Sequence, residues 1–157
     1  MNLTPVAGHL GAVVSDIDLT QIGSDGITAL KVALNEHLVL FFPNQGKMTD
    51  EQQVEFSLNF GAPYFHPIAR ASGVTEFKAG RIIDDVDHPP YQDKWHTDVS
   101  WDPEPPVFGT LRMVDRPERG GDTVFVSSYA AYDALSDAMK AALDGLTAWH
   151  GLGDEMS

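Results

Sequence analysis

At 157 residues the chain has the length of one domain, and a composition of 43% hydrophobic and 21% charged residues is too apolar for a disordered tail or a linker. Ten Lys and Arg against 23 Asp and Glu give a formal net charge of -13, a field that repels phosphates and so excludes nucleic acid and anionic membrane as expected partners. With no cysteine, disulfides, thiol catalysis and a Cys-ligated zinc site are excluded as well.

The opening MNLTPVAGHLGAVVSDIDL carries neither a basic leader nor an unbroken apolar stretch, and no run approaches the roughly 18 apolar residues of a membrane helix, so a cytoplasmic chain is expected. No repeat and no linker divides it, and residues 1–157 read as a single domain. Ser24 and Asp25 open a helix whose Ile27, Leu30, Leu34 and Leu38 recur at three- and four-residue spacing. An apolar run at 38–42, closed by Pro43, reads as a buried strand. Thr49 and Gln52 make a T-x-x-Q capping box, and the helix it opens runs through Val54 and Leu58 to a stop at Gly61. Strand-like stretches follow at 74–83, 95–101, 107–114 and 123–127, with polar loops at 84–94 and 102–106. Helical signals return at Ser128; Leu135, Met139 and Leu143 form a core stripe, Ser136 caps and Gly145 stops. The fold class is therefore mainly β with flanking helices, a sandwich or barrel that stops in mid-sheet.

The sharpest chemical feature is Trp95-His96-Thr97-Asp98. In a strand, residues i and i+2 share a face, so an imidazole nitrogen and a carboxylate oxygen can aim at one point. A mixed N/O pair suits a divalent first-row metal, as in the two-His-one-carboxylate triad of non-haem iron. So short a pattern also recurs by chance, and a structural role stands open beside the metal one.

The surrounding sequence narrows the choice. WHTDVSW, the apolar 107–114 stretch, RPERGGDT and SSYAAYDAL, preceded by GAVVSDIDL, LVLFFPNQ, FGAP and the His66-Pro67 pair, resemble in order the landmarks of the taurine dioxygenase family of iron- and 2-oxoglutarate-dependent oxygenases. The resemblance implies a double-stranded β-helix, or jelly roll, with Fe(II) as metal and 2-oxoglutarate as cosubstrate. It implies His96 and Asp98 as two of three iron ligands, and Thr123 as a hydroxyl donor to a carboxylate of 2-oxoglutarate. It implies His66 as a contact for the anionic head of a small organic substrate, with the backbone N–H of Val99 and the side chain of Gln92 beside it. At the Gln92 position taurine dioxygenase itself has Asn, and it has Tyr where this chain has Ala69. Those departures point away from taurine and leave sulfonates, sulfate esters and other small organic acids, oxidised with dioxygen and with release of succinate and CO2. By analogy the family also implies a homo-oligomer.

Other residues carry less. His9 and His37 read as structural and His88 as a solvated loop residue; Trp95 and Trp101 read as packing groups, and Arg112, Arg116 and Arg119 as turn and surface charges. The family's second His and its 2-oxoglutarate-binding Arg come more than about a hundred residues after the His-x-Asp, beyond the end of this sequence. His150, the one later histidine, matches a stretch of the family that does not bind metal. The chain is thus expected to be the N-terminal half or slightly more of a dioxygenase, with little turnover of its own. The alternative is a short non-catalytic relative that binds a metal, a small anion or another subunit.

Overall fold

The computed structural model of the chain describes residues 1–89 and 94–151. Two strands open it, β1 (Asn2–Pro5) and β2 (Ala12–Ser15), antiparallel with Asn2 opposite Ser15 and Pro5 opposite Ala12. Gly11 enters β2 at φ 90°, a conformation open to glycine, and a Cβ there would stand 3.3 Å from the Phe41 ring. The pleat of β2 buries Ala12 and Val14 completely, and helix α1 (Ser24–His37) turns Ile27, Leu30 and Ala33 toward the core. The chain then returns as β3 (Leu40–Phe41), parallel to β2. The expected strand over 38–42 shrinks to these two residues because Leu38 serves as the helix cap. Its φ is 64°, and its N–H donates to the Leu34 carbonyl at 2.8 Å.

The expected capping box is present at the next helix, α2 (Asp50–Leu58). Gln52 N–H donates to Thr49 Oγ1 at 3.2 Å, and Thr49 N–H donates to Gln52 Oε1 at 2.9 Å. Phe56 of α2 joins Val14, Leu19, Ile27, Leu30 and Met48 in one buried cluster, with Phe42 and Phe60 edge-on at 6.1 and 5.2 Å between ring centroids. Gln45 ties the connecting loops by donating to the carbonyls of Ile17 and Pro43 and accepting from Leu19 N–H. A loop amide group thus finds a partner near the core rather than being left bare.

Beyond Phe41 the described residues hold helices and extended stretches but no further strand: α3 (Pro67–Ala71), α4 (Ser128–Asp133) and α5 (Asp137–Leu143). The mainly β expectation is therefore not met here, and 74–83, 95–101, 107–114 and 123–127 carry strand-forming residues without a ladder among the described residues. Strand propensity is context-bound; without a neighbouring ladder it fixes no strand. Residues 107–112 are gripped instead by side chains of α2. Ser57 and Thr110 hydroxyls meet at 2.6 Å, Gln53 Nε2 donates to the Thr110 carbonyl at 3.3 Å, and Arg112 bonds Gln53 Oε1 and Asp50. Phe108 packs edge-on against Phe60 at 5.4 Å.

Ser127 and Ser136 cap α4 and α5 through their hydroxyls, as the sequence predicts for Ser136. The Leu135, Met139 and Leu143 stripe, however, is not core: Met139 is 50% exposed and Leu143 43%. Its spacing is helical, but among the described residues no second apolar layer lies over it. The accessible surface, 12732 Å², is about 1.6 times what a folded monomer of this size presents, and most of the exposed large hydrophobic side chains lie in the second half of the sequence. Among the described residues no helix is long and apolar enough to cross a membrane.

Candidate active site

His96 and Asp98 lie side by side, with His96 Nε2 3.2 Å from Asp98 Oδ1. The reason differs from the expected strand alternation. Residues 98–101 form a turn closed by Asp102 N–H on the Val99 carbonyl at 3.0 Å, with Val99 at φ 50°. A β-branched residue in that region costs on the order of 1–3 kcal/mol of backbone strain, which clusters at functional sites.

The other ring nitrogen orients His96. Nδ1 is 2.8 Å from the Lys94 carbonyl, which can only accept, so Nδ1 carries a hydrogen and Nε2 is the nitrogen that faces Asp98. A proton on Nε2 makes this contact a hydrogen-bonded ion pair, and with Nε2 deprotonated its lone pair and the carboxylate oxygen converge as two metal donors. Two donors bound cis to one metal at about 2.1 Å lie about 3 Å apart, so the pair fits a divalent cation. A backbone carbonyl that orients the second ring nitrogen is the common support of a metal-binding histidine. Among the described residues no third His, Asp or Glu joins them to form a metal-binding cluster.

His66 is wired in the opposite sense. It caps the N-terminus of α3, and its Nδ1 accepts from Ile68 N–H at 3.3 Å, so the neutral ring carries its hydrogen on Nε2 and can donate it. Its ring meets Trp101 edge to face at 5.7 Å. Asp98 and Thr97 line one wall of a cleft of about 790 Å³ whose other walls include Phe60, Phe77 and Phe108, with Lys78 as a cation. Thr123 lies exposed in an extended stretch and is not among the residues lining that cleft. Gln92 lies outside the described residues.

Several neighbours differ from their sequence reading. Trp101 packs on His66, but Trp95 is 70% exposed and packs little. His150 reaches the site turn, where its Nδ1 is 2.9 Å from Ser100 Oγ. Sequence pattern missed Asp102, which lies in a segment read only as a polar loop. Its side chain is buried and accepts from Tyr64 Oη at 2.7 Å, Arg70 Nη2 at 2.5 Å and Glu104 N–H at 3.0 Å. These donors, the Glu104 N–H first and then the Tyr64 hydroxyl, hold the Asp102 carboxyl below its usual value against the opposing effect of burial. Burial first, and then the bond to Asp102, pushes the Tyr64 phenol up. The one hint in the sequence was the Asp102-Pro103 turn signal, which says nothing about burial.

Comparison with known proteins places the chain in a family. The chain is 34% identical over 152 residues to the alkylsulfatase of Acinetobacter baylyi, covering 96% of this chain and 47% of that protein. It is 32% identical to the alpha-ketoglutarate-dependent sulfate ester dioxygenase of Pseudomonas putida, over 96% of this chain and 49% of that one. The crystal structure of AAD-2 in complex with Mn(II) and N-oxalylglycine superposes with a TM-score of 0.61 at 27% identity, over 90% of this chain and 48% of that one. The chain thus spans about half the length of the curated relatives it matches. The family model for the taurine catabolism dioxygenases matches residues 2–157. The chain belongs to the taurine catabolism dioxygenase TauD, TfdA family.

Proposed function

We propose that the chain supplies the N-terminal part of an Fe(II)- and 2-oxoglutarate-dependent dioxygenase domain with a jelly-roll fold, acting on a small organic anion, a sulfate ester or a sulfonate. The observation that carries this reading is the convergence of His96 Nε2 and Asp98 Oδ1 at 3.2 Å with Nδ1 held by a carbonyl. The relatives support it: one is a sulfate ester dioxygenase by name, and the AAD-2 structure holds Mn(II) with N-oxalylglycine.

In this reading His96 and Asp98 are two metal ligands. Bound Fe(II), with 2-oxoglutarate and dioxygen, would supply the oxidation of a substrate C–H bond, releasing succinate and CO2. The chain's own residues bind and orient. Thr123 would donate its hydroxyl to a carboxylate of 2-oxoglutarate, and the His66 Nε2–H and the Val99 backbone N–H would donate to the anionic head, with Gln92 beside it. At φ 50° Val99 departs from regular strand geometry, in which its amide would pair with a neighbouring strand. Holding the substrate's head fixed places one C–H bond toward the metal, which is the positional contribution a protein makes to such a reaction.

The test is succinate formation coupled to sulfate esters and sulfonates by the protein as its source makes it. His96→Ala and Asp98→Ala are each expected to lower the rate by at least about a hundredfold. Substrate-coupled succinate that survives either substitution would sink the assignment.

A further inference from the structure

The Asp102 side chain accepts from Tyr64, Arg70 and the Glu104 N–H rather than from the metal pair or the anion-donating groups, and it is only 6% exposed. The two side chains that donate to its Oδ2, Tyr64 and Arg70, flank His66 in sequence, and Arg70 also lies over the Tyr64 ring at 5.9 Å from its centroid. The Asp102 backbone N–H donates to the Val99 carbonyl and closes the 98–101 turn. Its neighbour Trp101 is the residue that meets the His66 ring. One buried carboxylate therefore joins the segment that carries His66 to the turn that carries Asp98.

We propose that Asp102, acting through Tyr64 and Arg70, is a positioning residue that sets His66 against the His96 and Asp98 pair, so that a metal and an anion-binding N–H face the same substrate. This rests on the proposed function. An amide in its place keeps the size, but its nitrogen cannot accept from a guanidinium, and its oxygen offers a neutral acceptor where a charged one stood. Arg70→Gln perturbs the same joint from its half-exposed end and leaves the buried carboxylate in place.

Two readouts test it in the full protein as its source makes it. The first needs no turnover: the His66 Cε1–H proton resonance, displaced by the Trp101 ring, is expected to move in both Asp102→Asn and Arg70→Gln. If it stays put in a folded Arg70→Gln protein, the proposal fails. The second uses sulfate ester turnover, with calorimetric binding of the same ester to the Mn(II)-loaded protein as a check. Each variant is expected to raise KM and weaken binding by about tenfold, the worth of one charge-assisted hydrogen bond, with kcat within about threefold. His66→Ala is expected to do the same, and adding Asp102→Asn to it to cost nothing more. Additive losses overturn the joint while leaving the role of His66 standing. A His66→Ala protein that binds the ester normally overturns both the joint and the anion-binding role of His66, and the separate loss of turnover in His96→Ala still tests the metal assignment.

Discussion

Replacing Phe56 with Ala tests whether the fold rests on the N-terminal core. The side chain is 7% exposed and sits between Phe42 and Phe60, with Leu30 and Val14 in the same cluster. Removing the ring forfeits about 2–3 kcal/mol of apolar burial. Two edge-to-face pairs add about 0.5–1.5 kcal/mol each, and the cavity left behind costs more where the site cannot collapse. These contributions overlap, and a buried Phe→Ala change costs about 3–5 kcal/mol in all, a large part of the 5–15 kcal/mol that ordinarily separates folded from unfolded domains. In urea, with a slope of about 2 kcal/mol per M, the midpoint should fall by about 2 M. Met139→Ala is the control: it is half exposed in α5 and should change stability by no more than about 0.5 kcal/mol. A Phe56→Ala protein that loses less than about 1 kcal/mol, or a Met139→Ala protein that loses as much as Phe56→Ala, would refute a core confined to the first sixty residues.

Thr49→Ala removes the hydroxyl half of the α2 capping box and should cost about 1 kcal/mol, with Thr49→Ser restoring it in the same urea titration. Acid should weaken the fold through Asp102 and Asp50, whose carboxyls are held below the reference value of 3.8, by the Glu104 N–H and by Arg81 respectively as first causes. A depressed folded pKa gives stability that is whole above the unfolded value, declines below 3.8 and is gone below the folded value. The urea midpoint should therefore hold steady down to about pH 5 and drop toward pH 3, less steeply in Arg81→Gln; a midpoint unchanged over that interval would contradict the assignment.

Local chemistry made the helices legible. The Thr49 and Ser136 caps, the period of Ile27 and Leu30, and the halt of α1 near Leu38 depend on groups within a few residues of one another. The strands were not legible in the same way, because Val107 or Val124 signals a strand only if a ladder lies beside it, and none does among the described residues. At the site, the His96 and Asp98 pairing was readable from i and i+2 spacing, although a turn rather than a strand brings the two side chains together. Asp102 was not, since its partners lie 38 and 32 residues away and nothing about an acidic loop residue announces burial. The core status of Leu135, Met139 and Leu143 failed for the complementary reason: a periodic stripe tells which face a helix would bury and not whether anything covers it.

The opposite roles of the two site histidines are set by main-chain atoms, the Lys94 carbonyl for one and the Ile68 N–H for the other. The side chains at positions 94 and 68 are thus free to drift without altering which ring nitrogen carries a hydrogen. Of the ordinary replacements at 68, proline alone removes the N–H that holds Nδ1 of His66. At 94 every residue keeps the carbonyl. A reader who compares sequences column by column would find no signature at either place, although each decides what its histidine can bind.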